Sequence, residues 1–268
     1  MKNLPAVHFV AQYLLNPTNP VFVNLIGAGG TGSQVLTALA RINHSLHALQ
    51  HPGLQVNLYD DDVITPANLG RQLFPAAELG CNKAVALINR VNRFFASGWK
   101  AIDEKYDKLT HRPASITISC VDKVAARFEI AATLQKFTPD RHAEQKRSLY
   151  WMDFGNSQYT GQVLLSTVGK IEQPKSKKFM PMAELPFITE EYKNLLSAAD
   201  NDDSGPSCSL AEALLKQDLF INSALANTGA SLLWTMFREG MISNRGLFMN
   251  LKEFRTQPIT VASAKKRI

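Results

Sequence analysis

Apolar residues along this chain cluster at two different periods, and the alternation between them predicts the architecture. Val21 to Ala28 is an apolar, β-branched-rich run that ends in glycines, the pattern of a strand buried on both faces of a parallel sheet. From Ser33 to about Ile42 apolar residues recur at helical spacing. Gln55 to Tyr59 reads as a second strand that runs into Asp60, and Pro66 to Arg71 as a turn-rich loop. Asn82 to Phe95 carries Val85, Leu87, Ile88, Val91, Phe94 and Phe95 on an amphipathic helix, with Asn82 as its N-cap. The polar stretch 97 to 114 reads as irregular. Ser115 to Val121 is a third strand ending at Asp122, and Val124 to Phe137 a helix. A charged connection, DRHAEQKR, leads to two further strands at Leu149 to Phe154 and Gln162 to Val168.

The order is therefore β-α-β-α-β-α-β-β, which predicts an α/β fold of the doubly wound, Rossmann-like kind: a mainly parallel sheet with helices on both faces. After residue 168 the character changes. Residues 169 to 207 combine prolines, a lysine cluster and the acidic turn DNDDSGPS, and a connection of that length is usually functional. Leu210 to Gly240 is helical, in two pieces broken near Asp218, and the tail from Leu247 supplies one or two short strands and a basic end. The expected organisation is one domain over 1–268, with a nucleotide-binding half at about 20–168, a crossover loop at 169–207 and C-terminal helices and strands at 208–268.

The glycines change the picture from fold to chemistry. Gly27, Gly29 and Gly32 fit G-x-G-x-x-G, with Gly30 beside them, and the triplet lies between a predicted strand and a predicted helix, the context that gives the motif meaning. Glycines let the backbone approach a phosphate, and the helix N-terminus beyond them presents uncommitted N–H groups and a positive dipole end. Asp60 stands at the next strand's C-terminal end, where a carboxylate can accept hydrogen bonds from ribose hydroxyls. It lies farther beyond Gly32 than the roughly 20 residues of the dinucleotide fingerprint, and the longer connection HSLHALQHPG accounts for the difference. Asp61 reads as solvated, and Asp62 fits either a site or a solvated turn.

Asn68, Arg71 and Lys83 are more selective. Cleaving ATP between its α- and β-phosphates builds negative charge on the α-phosphate and on the departing pyrophosphate, and cations placed there stabilise the transition state above the ground state. Arginine offers a planar fork and lysine a point charge. A nicotinamide enzyme leaves these residues without a task. Asp122, at the end of the third strand, suits Mg²⁺ held jointly with substrate phosphates, and it also reads as an N-cap for the next helix. Cys208 precedes a helix whose dipole can lower a thiol pKa; a nucleophile that takes an acyl group and an idle thiol are both open readings. Cys120 reads as core and Cys81 as incidental.

Composition adds boundaries. The chain has 268 residues, net charge +6 and three scattered cysteines with no C-x-x-C pair, which argues against a disulfide framework or a structural zinc site and for a reducing cytosol. No apolar run reaches the roughly 20 residues a membrane helix needs, and no signal peptide is expected. The basic excess is local, at Lys170, Lys175, Lys177 and Lys178 and at Lys265, Lys266 and Arg267. No recognition module accompanies it, so nucleic acid is not the expected partner.

The segments GAGGTGS (27–33), DDDVITPANLGRQ (60–72), Lys83, SCVDKVAAR (119–127) and GQVLL from Gly161 together resemble the ThiF/MoeB group of E1-like adenylyltransferases, and more narrowly the ThiF-family component of the plasmid-borne PRTRC cassette. The resemblance implies an eight-stranded sheet, a homodimer, and ATP held by Gly27, Gly29, Gly30, Gly32 and Asp60. It implies that Asn68, Arg71 and Lys83 contact phosphates and that Asp122 binds Mg²⁺. The implied reaction is adenylation of the C-terminal carboxylate of a small ubiquitin-like or sulfur-carrier protein, with Cys208 where some relatives form a thioester or persulfide link. Three departures are visible: the zinc-binding C-x-x-C pairs are absent, no arginine precedes Arg41 where relatives carry R-Y-x-R-Q, and Lys123 replaces an asparagine. Two other classes stay in view, a nucleotide-binding interaction protein without turnover and an NAD(P)-dependent oxidoreductase.

Overall fold

A computed structural model describes residues 4–136, 147–199, 211 and 216–262. A short strand β1 (Ala6–Phe9) and a one-turn helix α1 (Gln12–Leu15) lead into β2 (Val21–Ile26), α2 (Gly30–Ala48) and β3 (Leu54–Tyr59). Helix α3 (Lys83–Phe95) follows, with Asn82 Oδ1 accepting from Val85 N at 3.0 Å as its N-cap. Next come β4 (Lys100–Ile102), β5 (Ile116–Ser119), α4 (Val124–Lys136), β6 (Tyr150–Asn156) and β7 (Thr160–Thr167). The remainder holds β8 (Met180–Pro181), α5 (Ile188–Glu191), α6 (Lys193–Ala199), α7 (Ile221–Glu239), β9 (Met241–Ile242), β10 (Asn244–Asn250) and β11 (Arg255–Thr260).

Eight strands form one sheet in the order β11-β10-β7-β6-β5-β2-β3-β4. The pairings from β4 to β6 are parallel, and those among β6, β7, β10 and β11 are antiparallel. Six strands therefore point one way, with β7 and β11 against them, so the sheet is mostly parallel with an antiparallel wing. Its two faces carry two cores. Tyr150, Met152 and Phe154 of β6 join Val23, Leu25, Val56 and Leu58 under α2, α3 and α7. Trp151 points the other way and packs with Ile26, Tyr59, Ile130, Leu134 and Ile188. That alternation is the period-two geometry of a strand covered on both faces.

Two buried amides explain why the stretch before β5 is a loop. Asn57 Nδ2 donates to Asn24 Oδ1 at 3.1 Å, and Asn24 Nδ2 donates to the Arg112 carbonyl at 2.6 Å. A buried amide left unpaired costs about 1–3 kcal/mol, so the polar face of β2 and β3 requires backbone carbonyls above it, and a covering helix has none to offer. A separate three-stranded sheet, β8-β1-β9, was not expected from the sequence. Its strands are two to four residues long, too short for periodicity to register. Gln173 completes it as a surrogate strand, accepting from Phe9 N and donating to Phe9 O, each at 2.9 Å.

Helix α2 begins three residues earlier than the apolar pattern suggested, because its first turn is built from the glycines themselves. The expected break near Asp218 is present: α7 starts at Ile221 and ends at Gly240 in the left-handed conformation. Of the segment before it, only Ala211 and Lys216 onward are described. No helix among the described residues is long and apolar enough to cross a membrane.

Candidate nucleotide site

The turn between β2 and α2 has little room for anything but glycine. Gly27 sits at φ +92°, and a Cβ there would stand 2.7 Å from the Cys120 carbonyl oxygen. A Cβ on Gly32 would stand 1.8 Å from the Gly27 carbonyl oxygen. The chain is thus folded onto itself and onto the end of β5. Gly29 caps α2, and a Cβ added to it would meet nothing within 4 Å. The outer side of the turn is therefore open, next to first-turn N–H groups that have no intrahelical acceptor and carry the positive end of the helix dipole.

Asp60 is turned into this loop. Its Oδ2 accepts from Ala28 N at 2.6 Å, its Oδ1 from Asp62 N at 3.0 Å, and its carbonyl from Asn82 Nδ2 at 2.8 Å. Burial pushes the Asp60 carboxyl up, opposed by the Ala28 N–H and the charge of Lys83. Asp61 is exposed. Asp62, which the sequence left open, accepts from Lys83 Nζ at 2.7 Å; the lysine side chain is 10% exposed and the carboxylate 68%. The acidic triplet therefore divides three ways: one carboxylate toward the turn, one in solvent, one on the buried lysine.

The polar cluster after β3 is folded by its own side chains. Asn68 Oδ1 accepts from Thr65 N at 2.8 Å and Thr65 Oγ1 at 3.1 Å around a 3-10 turn over Pro66–Asn68. Asn68 is thus buried with its carbonyl committed to the loop. Leu73 N reaches Ser33 Oγ at 3.4 Å, which holds the loop against the first turn of α2. Arg71 Nη1 donates to Gln217 Oε1 from beyond the crossover. Burial pulls the guanidinium pKa down, from a starting value high enough that it stays charged.

Asp122 lies exposed three residues beyond the end of β5, two past Cys120 and next to Val121, whose N lies 3.7 Å from the Gly27 Cβ position. Arg127, one turn into α4, donates to the carbonyls of Val121 and Phe154 at 2.7 and 2.9 Å and pairs with Asp153 at 3.1 Å. Asp153 also accepts from Ser119 Oγ at 2.5 Å, and Trp151 Nε1 donates to that hydroxyl at 2.7 Å. Burial pushes the Asp153 carboxyl up, and Arg127 and Ser119 oppose it. Sequence reasoning missed Asp153; the signal available was a lone acid inside the apolar run YWMDF. Cys120 lies against the glycine turn, partly buried, with its thiol pushed well up by burial. Cys208 lies outside the described residues.

Glycine turn, Asp60, Asn68, Arg71 and Lys83 thus gather at the C-terminal ends of β2 and β3, with Asp122 on the neighbouring strand end. Among the described residues no group of three or more His, Cys, Asp or Glu side chains is placed to hold a metal ion. A lone carboxylate at a strand end fits Mg²⁺ nonetheless, because that ion is commonly bound through one or two carboxylates plus substrate phosphates.

Fold and site together define a doubly wound α/β protein whose ligand side lies at the carboxyl ends of the strands, at a glycine turn. The ThiF family model matches residues 19–267, and the chain belongs to the ThiF family. Among solved structures, PaaA superposes with a TM-score of 0.59 at 13% identity, over 93% of this chain and 75% of that one. MccB of E. coli superposes with a TM-score of 0.55 at 17% identity, over 96% of this chain and 68% of that one. An MccB structure with ATP gives 0.56 at 16% identity over 95% and 67%, and one with MccA gives 0.56 at 15% over 93% and 65%. At these identities the likeness is one of fold. A search of curated sequences found no match.

Proposed function

We propose that this chain is an ATP- and Mg²⁺-dependent adenylyltransferase acting on the C-terminal carboxylate of a small ubiquitin-like or sulfur-carrier-type protein. The observation that carries the reading is the meeting of Lys83 and Arg71 with an open glycine turn at the ends of β2 and β3. Membership of the ThiF family supports it, as does a fold shared with MccB, which has been crystallised with ATP and with MccA.

In this reading Gly27, Gly29, Gly30 and Gly32 give the triphosphate access to backbone N–H groups, and Asp60 receives the ribose hydroxyls while anchored by Ala28. A carboxylate oxygen of the partner attacks the α-phosphorus, the bond to the β-phosphate oxygen breaks, and pyrophosphate leaves as AMP is joined to the peptide end. The attacking group is already ionised, so positioning and charge stabilisation supply most of the rate. Lys83 exchanges Asp62 for phosphate oxygens, Arg71 lends its fork to the departing charge, and the Asn68 amide donates alongside. Asp122 would hold Mg²⁺, which neutralises phosphate charge when bound.

The whole chain acts as one adenylation domain in the cytosol, working as a homodimer. Cys208 accepts the activated acyl group, with AMP leaving. The narrower kinship is with the PRTRC component, carried by the motifs quoted above.

The test is isotope exchange between pyrophosphate and ATP, with and without a candidate small partner protein. Partner-dependent exchange that disappears in Arg71→Ala and Asp122→Ala while both variants stay folded is the expected result. Exchange retained in both removes the site assignment, and ATP binding with no exchange under any partner favours a nucleotide-binding interaction protein.

A further inference from the structure

One carboxamide beyond the crossover joins the glycine turn to Arg71. Asn222, in the first turn of α7, is 3% exposed. Its side chain fills the place where Gly30 lacks a Cβ; an added carbon would stand 2.6 Å from Asn222 Nδ2. Asn222 Oδ1 accepts from Thr31 Oγ1 at 2.8 Å and from Asn156 Nδ2 at 3.1 Å. Asn222 Nδ2 donates to Gln217 Oε1 at 3.0 Å, the same oxygen that accepts from Arg71.

The polarity of this chain is forced from one end. A guanidinium only donates, so Gln217 must turn its oxygen to Arg71; the Asn222 amino group then faces that oxygen, and the Asn222 carbonyl faces Thr31 and Asn156. Among the described residues the buried Arg71 Nε has no hydrogen-bond partner, so the Gln217 contact is what sets the direction of the guanidinium. The acceptor is a neutral amide. A carboxylate at 217 would bond Arg71 equally well and cancel its charge.

We infer that Gln217, held by Asn222, is a positioning residue that aims Arg71 at the polyphosphate of a bound nucleotide while leaving its positive charge unspent. This rests on the nucleotide reading and extends it to a residue outside the motif segments GAGGTGS, DDDVITPANLGRQ, SCVDKVAAR and GQVLL. The glutamine is the informative choice: it orients like an ion-pair partner and neutralises nothing.

The test is equilibrium binding of Mg²⁺·ATP and of AMP to the full chain, with thermal unfolding measured on each variant. Gln217→Glu keeps both hydrogen bonds, so its unfolding temperature should match or exceed the wild type. Its ATP affinity should fall at least tenfold while AMP, which lacks the outer phosphates, binds as before. Gln217→Met keeps the charge but frees its direction, and should show a smaller loss, again confined to ATP. In an Arg71→Ala background Gln217→Met should cost nothing further, because without the guanidinium there is nothing left to aim. Wild-type ATP affinity in Gln217→Glu, or an equal loss for AMP and ATP, overturns the inference and leaves the nucleotide site standing. A wild-type chain that binds neither nucleotide overturns the functional reading, and the positioning role with it.

Discussion

Arg127 and Asp153 form an ion pair at 3.1 Å with side chains only 5% and 2% exposed. The pair lies directly behind the candidate metal carboxylate: Arg127 also reaches the carbonyls of Val121, Asp122, Lys123 and Phe154. One guanidinium thus gathers the C-terminal ends of β5 and β6 and fixes the backbone on which Asp122 stands. Ser119 and Trp151 extend the network into the sheet, so the exposed acid rests on a hydrogen-bonded polar network.

Removing half of that pair should be costly. Arg127→Met leaves Asp153 buried without its cation and removes the guanidinium's hydrogen bonds to four carbonyls, and losing one partner of a buried pair typically costs about 3–5 kcal/mol. Urea denaturation should place the loss in that range. A change below about 1 kcal/mol would mean that the pair is solvated and does not brace the strand ends.

The glycine turn allows folding and ligand space to be separated. Gly32→Ala forces a carbon to 1.8 Å from the Gly27 carbonyl, so both thermal stability and any ATP-induced stabilisation should collapse. Gly29→Ala meets no protein atom within 4 Å. It should unfold at the wild-type temperature and yet lose stabilisation by Mg²⁺·ATP, because the methyl occupies the space a phosphate needs. Thermal shift with and without nucleotide reads both, and undiminished ATP stabilisation in Gly29→Ala would place the ligand elsewhere.

Much of this fold was legible because it depends on local pattern. Val21–Ile26 is a mostly apolar run of strand length, Leu54–Tyr59 alternates into Asp60, and the Asn82 cap is a single-residue signal that the structure reproduces. The glycine turn could be read because its spacing is sequential. What escaped depends on pairing across the chain. β1 exists through partners some 170 residues away, at Met180 and Pro181, and through Ile242 and Met241. Asn24 and Asn57 fix a loop by bonding each other, 33 positions apart. Asp153 becomes meaningful only once Arg127 is seen facing it. Gln217 drew no attention because an isolated glutamine near a helix start carries no chemical signature until Arg71 is brought onto it.

Acid should weaken the fold through His111. Its Nδ1 lies 2.6 Å from the Tyr106 hydroxyl, and burial lowers its pKa from 6.5 to about 4. The unfolded chain therefore takes up this proton near pH 6.5, while the folded chain resists until about pH 4. The associated stability is fully present above pH 6.5 and is lost as pH falls through that window. Buried His8, also lowered by burial, acts in the same direction. Unfolding temperatures measured from pH 7 to pH 4 should fall less steeply in His111→Gln than in the wild type, and identical slopes would remove His111 from the acid response.

Lys83 and Asp62 make opposite predictions although they touch. The carboxylate is largely exposed, and such a pair contributes at most about 1 kcal/mol, so Asp62→Asn should leave stability nearly unchanged. If Asp62 serves only as a resting partner for the ammonium, its neutralisation removes a competitor for phosphate, and ATP should bind as tightly as in the wild type or more tightly. Lys83→Met removes a buried cation from the developing charge. By comparison with the loss of a single oxyanion-hole donor, its exchange rate should fall by about 10²–10³. Pyrophosphate exchange and ATP titration on the two variants together decide the matter. Equal losses in both would make Asp62 a ligand in its own right, and the acidic turn would then hold two functional carboxylates, Asp60 and Asp62, where the geometry now assigns one.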